Sequence, residues 1–417
     1  MRRYAFAGAS GRALSMYARP MRADYADCAE AVGVFDPNRT RARLVAEAAA
    51  PASGRPVPAY DDFDRMLRET RPDAVIVTTM DRYHHEYIIR SLEAGCDAIT
   101  EKPMTIDAEK CRAVLEAERR TGKKVTVTFN YRFAPYATRI KELIRGGAVG
   151  AVTGVDFEWF LDRRHGADYY RRWHRRKENS GGLFVHKATH HFDLINWWID
   201  DEPTHVFALG DRRVYGPTRP ERGERCSTCR YAESCEFYAD FSDDVDKVSL
   251  YFKAEAEDGY FRDRCVFDDE IDIEDTMSAT VRYRSGALLS YSLVSYAPYE
   301  GWRMAVNGTA GRIEAEEFHS GLRARDGDQV IAVHRDDTGP ELVTVPMTRG
   351  GHGGGDRRLR DFLFLPNPPP DPLGHTAGSR AGAMSMLVGA AANLSVESGQ
   401  RVSIDELLRG PVAAGTR

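Results

Sequence analysis

Residues 4–13 read YAFAGASGRA, a short apolar run that ends in a glycine turn. In a Rossmann unit the glycines of such a turn let backbone amides approach a pyrophosphate, which then rests on the N-terminus of the following helix. The G-x-G-x-x-G template is filled here by Gly8, Ser10 and Ala13, with Gly11 adding flexibility between them. On this segment alone, a plain strand-to-helix turn reads equally well. A second strand ends at Asp36, whose carboxylate would accept hydrogen bonds from the adenosine ribose hydroxyls. The distance from Gly8 exceeds the usual ~20 residues, which places an extension of the first helix near Arg19-Pro20. Asp36 could instead open an Asp36-Pro37-Asn38 turn, but the two elements together favour a dinucleotide site. Asp36 would repel a 2′-phosphate, so NAD is expected over NADP, although Arg39 lies close enough in sequence to accept that phosphate.

Working outward, strands are expected at Tyr4–Ala9, Ala31–Phe35, Ala74–Thr79, Asp97–Thr100 and Lys124–Phe129, each short and apolar as in a sheet buried on both faces. Helical spacing occupies Asp62–Arg71, Arg82–Ala94 and Asp107–Thr121, with Asp107 as an N-cap and Gly95 and Gly122 as terminators. This alternation predicts a parallel-sheet Rossmann domain over residues 1–130. Beyond Asn130, alternating runs at Ala151–Leu161, His205–Tyr215, Thr276–Tyr296, Trp302–Phe318 and Gln329–Val333 predict a large, mainly antiparallel sheet, with a hairpin at Arg284-Ser285-Gly286. A helix at Thr189–Ile199, a Pro-rich linker at Leu365–Leu373 and a small-residue helix at about Ala377–Glu397 complete an α+β domain over 131–417. The fold class is therefore α/β plus α+β, and the length of 417 residues fits two domains.

A net charge of −5 gives no general attraction to nucleic acid or anionic membrane. No apolar run approaches the ~20 residues needed to span a bilayer. The apolar part of MRRYAFAGAS is about five residues long and reads as a strand, not a signal peptide, so a cytoplasmic protein is expected.

Further motifs follow in order: Thr78–Met80, His84, Gly95, then Glu101-Lys102-Pro103 after a strand, and Asn130-Tyr131-Arg132-Phe133. Gly181-Gly182, the helix His190–Trp198 and Asn307-Gly308-Thr309-Ala310-Gly311-Arg312 come later. The ordered set resembles the Gfo/Idh/MocA family of sugar and polyol oxidoreductases, and the resemblance covers essentially the whole chain. In that family a His precedes a helix-ending Gly by eleven residues, as His84 precedes Gly95. The resemblance implies hydride transfer between a substrate carbinol and nicotinamide, with Lys102 between cofactor and substrate, where its ammonium can stabilise charge on the reacting oxygen. It assigns Arg12, Thr79, His84, Glu101, Lys102, Asn130 and Arg132 to the cofactor side, together with the turn residues above. It also implies a homo-oligomer packed through an open sheet face.

Where the family commonly has an Asp and, four residues on, a His, this chain has His186 and His190. His190 would act as the acid–base group and Lys187 would supply the charge or hydrogen bond of the missing Asp. Some members of the family oxidise, eliminate and re-reduce a glycoside without net redox change, and the altered segment leaves room for that. A non-catalytic, cofactor-bound regulator is a third reading, opposed by Lys102 and His190.

The stretch Asp162–Lys177 carries seven Lys/Arg and two His against two Asp, interleaved with Tyr169, Tyr170 and Trp173. A solvated charged loop is one reading. The sharper one is a sugar site, with Arg163, His165, Tyr169, Trp173, His174 and Arg175 lining its mouth and favouring a substrate with an acidic group. Finally, Cys226, Cys229, Cys235 and Cys265 are spaced as a structural zinc cluster within an insertion at about 216–270. An iron–sulfur cluster, disulfides and free thiols are the alternatives.

Overall fold

The computed structural model describes residues 1–335 and 339–410; residues 411–417 of the expected second domain lie outside the described residues. The first sheet has seven strands. In spatial order they are Ala377–Gly378 (β15), Val125–Val127 (β6), Asp97–Thr100 (β5), Ala74–Val77 (β4), Arg2–Ala7 (β1), Ala29–Phe35 (β2) and Ala59–Tyr60 (β3). All neighbours are parallel except β15, which runs antiparallel to β6. Tyr4–Ala7 and Ala74–Val77 are fully buried, as strands covered by helices on both faces must be.

Side-chain caps start three of the crossover helices: Asn38 accepts from Arg41 N, Asp62 from Arg65 N and Asp107 from Lys110 N. The helix Arg39–Ala49 has no strong signature in the sequence, because three of its four buried positions (Ala42, Val45, Ala46, Ala49) are alanines, which mark an apolar stripe only weakly. The chain after the glycine turn forms a π-helical run, Ala13–Ala18, that continues as the helix Arg19–Asp24, so the extension expected near Arg19-Pro20 is helical.

The second sheet has nine strands. They are Glu341–Val345 (β14), Gln329–His334 (β13), Gly311–Phe318 (β12), Gly301–Gly308 (β11), Val152–Asp162 (β7), Leu288–Ala297 (β10), Thr276–Tyr283 (β9), Pro203–Asp211 (β8) and Val402–Ser403 (β16). Only β10 and β7 pair in parallel. The expected hairpin joins β9 to β10, with Gly286 at φ +98°. The helix Thr189–Ile199 lies on this sheet, where His191 stacks on Trp159 with ring centres 4.2 Å apart. The architecture is thus a Rossmann domain beside a domain with a large, mostly antiparallel sheet.

The basic stretch read as a loop is instead the helix Arg163–Arg171 followed by a 3₁₀ turn, Trp173–Arg175. Asp162 caps the helix by accepting from His165 N, and Gly166 lets it press on β10, where a Cβ would stand 1.8 Å from Ser295 O. No helix among the described residues is long and apolar enough to cross a membrane.

Between β8 and β9 the insertion forms short turns. It gathers Cys226, Cys229, Cys235 and Cys265 around one small cavity of about 20 Å³. The expected zinc or iron–sulfur site is not formed there. All four are free thiols, and among the described residues no three His, Cys, Asp or Glu side chains are grouped to hold a metal ion. Two of the sulfurs are engaged otherwise: Arg171 donates to Cys226 Sγ at 3.1 Å and Arg219 to Cys235 Sγ at 3.2 Å. Packing supplies the order that a metal was expected to give, since Phe237 contacts Tyr215 and Phe267, and Val266 is buried with them.

The turn after β6 is tied to the second domain by Arg132, whose guanidinium donates to both oxygens of Asp193 at 2.7 and 2.6 Å, with side chains only 7% and 2% exposed. Removing one partner leaves a buried charge uncompensated. Asp193→Asn is expected to lower stability by about 3–5 kcal/mol, read as a fall in the urea midpoint at constant slope. An unchanged midpoint would show that the pair contributes nothing.

Candidate active site

A cavity of about 1010 Å³ opens at the carboxyl ends of β1, β2, β4 and β5. Gly8 fixes its floor: at φ +96°, a Cβ there would stand 2.7 Å from Thr79 N, so only glycine lets the first turn touch the loop after β4. Thr78 Oγ1 donates to Gly8 O at 2.7 Å across the same contact. Ser10, Gly11, Arg12 and Thr79 line the wall, while Gly8 and Ala13 lie behind it. Ser10 Oγ accepts from Ala13 N at 3.2 Å, so the residue at the template's second glycine position caps the turn.

Asp36 is buried at the end of β2, accepting from Ala9 N and Asn38 N, each at 2.8 Å. Burial raises its pKa, and Arg41 opposes that rise. Arg39, the expected phosphate acceptor, points elsewhere: it is exposed and paired with Asp61 at 2.5 Å. The cation beside Asp36 is Arg41, with Nε 3.7 Å from Asp36 Oδ1 and a buried Nη1 that has no partner among the described residues.

The insertion straps across this end of the cavity. Tyr251 Oη accepts from Gly11 N at 3.1 Å, Arg19 pairs twice with Asp246 at 2.6 Å, and Asn38 Nδ2 donates to Ala254 O at 2.9 Å. Arg41 also pairs with Asp258. The glycine-dependent turn, the carboxylate at the end of β2 and the unpartnered Arg41 nitrogen beside it fit a dinucleotide.

Next along the cavity, Arg12 donates to Glu101 at 2.8 Å and reaches Asp356 at 3.4 Å, and Tyr17 donates to Glu101 at 2.6 Å. Burial disfavours the Glu101 carboxylate, but Arg12 and Tyr17 outweigh it and its pKa falls. Asn130 sits behind the wall, donating to Asp356 at 2.5 Å and to His352 Nδ1 at 2.9 Å. Arg132, assigned to the cofactor by resemblance, is turned away into its pair with Asp193. His84 ties two loops, bonding Pro103 O at 2.7 Å and Thr79 O at 3.1 Å.

Lys102, His186, Lys187 and His190 meet at the far end. Lys102 Nζ donates to His186 O at 3.0 Å and lies 3.4 Å from His186 Nε2. Burial lowers the Lys102 pKa to about 8, with Asp81 opposing the fall. Lys187 is likewise lowered to about 8 by burial, and its Nζ stands 4.4 Å from the centre of the Trp159 ring. Burial, then Lys102 and His352, push His190 well below the usual histidine value, and its Nδ1 has no partner among the described residues. A neutral imidazole and two partly neutral amines can therefore exchange protons with a hydroxyl placed between them.

Of the basic stretch, His165, Tyr169, Trp173 and His174 line the cavity. Arg163 is exposed, and Arg175 is buried against Asp268 at 3.0 Å, so neither forms its mouth. Arg172 does; it lies in the stretch expected there but was not singled out, because the helix and the turn after it decide which arginines face inward. Asp81, His352, Asp356 and the insertion's Tyr251 and Arg262 were missed too. The Gly350–Gly355 run around His352 was a usable signal, whereas nothing local distinguishes Asp81.

Residues 2–129 match the Gfo/Idh/MocA oxidoreductase family, NAD-binding Rossmann fold, and residues 141–404 match that family's C-terminal alpha/beta domain. The chain belongs to this family. It is an NAD-binding oxidoreductase built on the family's two domains. It is 41% identical to YteT of Bacillus subtilis (strain 168), covering 98% of this chain and 99% of that protein. It is 32% identical to the D-glucoside 3-dehydrogenase of Escherichia coli (strain K12) over 30% of this chain and 34% of that protein. Among solved structures, the WlbA dehydrogenase from Bordetella pertussis, in complex with NADH and UDP-GlcNAcA, superposes with a TM-score of 0.66 at 18% identity, covering 96% and 98% of the two chains.

With pKa values lowered to about 8, Lys102 and Lys187 should react with cyanate at mildly alkaline pH ahead of the surface lysines. Peptide mass mapping checks this. Earlier carbamylation of Lys110 or Lys123 would show that the two cavity amines are ordinary ammonium groups.

Proposed function

We propose that this chain is a dehydrogenase of a sugar or polyol that carries an acidic group, using NAD in preference to NADP. The observation that supports it best is the convergence of Lys102 and His190 on one end of a cavity whose other end holds Asp36. NAD, when bound, supplies a hydride acceptor at the substrate's carbinol carbon. The chain's residues handle the rest: Lys102, whose amine burial leaves partly neutral, meets the hydroxyl, and His190, kept neutral by burial, is a second group able to hydrogen-bond it. The relative that acts on D-glucosides supports a carbohydrate substrate.

The preference for an acidic group rests on charge. Arg262 and Arg172 share a single carboxylate, Asp168, at 2.7 and 3.2 Å, which leaves one positive charge uncompensated in the wall. Arg264, also on the wall, is paired only at the limit of contact, with Glu270 4.0 Å away. Asp244, Asp246 and Asp258, also on the wall, are each paired to a cation.

A second reading, oxidation and re-reduction of the same molecule around an elimination, is favoured by one feature: the strap from Asp246 to Asp258 lies over the dinucleotide end and would retain a cofactor that never needs replacing. Incubation with NAD and a panel of sugars, uronates and glycosides separates the readings, since only the net dehydrogenase accumulates NADH.

Lys102→Ala and His190→Ala should each lower turnover ~10²-fold or more, with NAD binding preserved in His190→Ala. Near-normal turnover in either variant would remove that residue from the mechanism. Tighter calorimetric binding of NADP than of NAD would show that Arg41 outweighs Asp36. A neutral sugar preferred over its uronate, with a Michaelis constant insensitive to salt, would refute the acidic-substrate reading.

A further inference from the structure

His186 stands where the family commonly has a carboxylate, yet a carboxylate is present one step behind it. Asp81, in the turn after β4, places Oδ2 2.5 Å from His186 Nδ1, and the two are separated by 105 residues in the chain. Asp81 is 3% exposed and has no other side-chain partner among the described residues. Where the Asp81 carboxylate accepts this bond, His186 Nδ1 carries the proton and Nε2 is left with its lone pair. That lone pair faces Lys102 Nζ at 3.4 Å, and Lys102 is also held by its bond to His186 O at 3.0 Å.

We propose that Asp81, His186 and Lys102 form a proton relay, in which Asp81 fixes the tautomer of His186 so that Nε2 receives the proton that Lys102 collects from the substrate hydroxyl. The proposal rests on the dehydrogenase reading above and gives it a proton path. In the step, the substrate O–H bond breaks as an N–H bond forms on the neutral Lys102 amine, and Lys102 passes one of its protons to His186 Nε2. The electron pair of the substrate C–H bond leaves with the hydride, so the substrate loses one proton and one hydride. The imidazolium formed stands beside the Asp81 carboxylate and gives its Nε2 proton to solvent water in the cavity that His186 lines. Lys102 touches the reacting oxygen and is catalytic. His186 and Asp81 act through it, and Asp81 is a positioning residue.

The surroundings explain why both partners are needed. His186 is faced by Lys102 from the turn after β5, by His174 and Arg172 from the segment after the helix Arg163–Arg171, and by Lys187 beside it. Burial and these groups all push its pKa down, so an unassisted imidazole here would be too weak a base to hold a proton. Asp81 is the opposing negative charge. Burial pushes its own pKa well above the ordinary carboxylate value, and Lys102 and Arg172 oppose that rise only in part. The same carboxylate raises the proton affinity of Lys102.

The test compares wild type with Asp81→Asn, Asp81→Glu and His186→Gln. In the oxidation direction the relay must start deprotonated, so kcat rises with pH along a limb set by the relay. Removing the Asp81 charge disfavours the protonated forms of both His186 and Lys102, so in Asp81→Asn the limb should move to lower pH by roughly one unit. At the plateau kcat should fall ~10²-fold, with KM and the melting temperature little changed, and Asp81→Glu should recover part of the loss. A purely structural tie would instead lower the melting temperature or raise KM and leave the limb in place, which overturns the relay. If Asp81→Asn fails to fold, His186→Gln, which removes the acceptor and keeps a polar side chain, must show the loss of kcat.

Nitrogen-15 spectra of histidine-labelled wild-type protein give a readout independent of turnover. They should show His186, assigned by its absence in His186→Gln, protonated at Nδ1 and bare at Nε2. The opposite tautomer overturns the relay. If no sugar or polyol is oxidised at all, the dehydrogenase reading fails, and the tautomer still decides the Asp81–His186 geometry.

Discussion

One guanidinium holds the reacting end of the site in place. Arg12, the residue just past the glycine turn, bonds Glu101 on one side and reaches Asp356 on the other, and so joins the first turn, the turn that carries Lys102 and a segment of the second domain. Asp356 in turn holds Asn130 and His352, and burial of the whole group makes each bond strong while leaving an orphaned member expensive. Arg12 and His352 together drive the Asp356 carboxyl far below the ordinary carboxylate range, although burial opposes them. The position of Lys102 therefore depends on a contact made by a residue whose own neighbours in sequence belong to a phosphate-binding turn.

The electrostatic character of the cavity follows from that frame. Its reacting end concentrates nitrogen bases whose protonated forms are disfavoured by burial: His186, His190, Lys102 and Lys187 all shift downward. Such a cluster suits an anionic oxygen, because every neighbour is either a donor or able to become one. Counter-charge is rationed, with Asp81 facing His186 and Glu300 facing His165 and Lys187.

What could be read from the sequence followed the range over which each signal acts. The inner strands of the first sheet and the cap Asp107 are local matters of hydrophobic run and N-cap chemistry, and both are visible in a few residues. Lys102 was singled out through the family resemblance that the ordered motifs carry, because a Glu-Lys-Pro tripeptide after a strand says little by itself. Arg39 is the nearer arginine in sequence, but Arg41 stands beside Asp36, because adjacency says nothing about which arginine of a helix's first turn faces inward. Arg175 was misplaced for the same reason, and Asp81 was invisible because its partner lies in the other domain. The cysteine spacing was read correctly as a cluster in space. Its chemistry was not legible, since Arg171 from outside the insertion and Arg219 from within it reach two of the sulfurs.

The first sheet is finished late. Its outer strand β15 comes from residues 377–378, just ahead of the helix Ser379–Ser398 that packs against both β6 and β8. On the ribosome the other six strands of that sheet, all complete by Val127, emerge with one edge of β6 bare. An uncovered parallel edge invites pairing with another chain. Between synthesis of Val127 and of Gly378 a nascent chain therefore carries an open sheet edge, and cleavage ahead of Ala377 would return the folded protein to that condition.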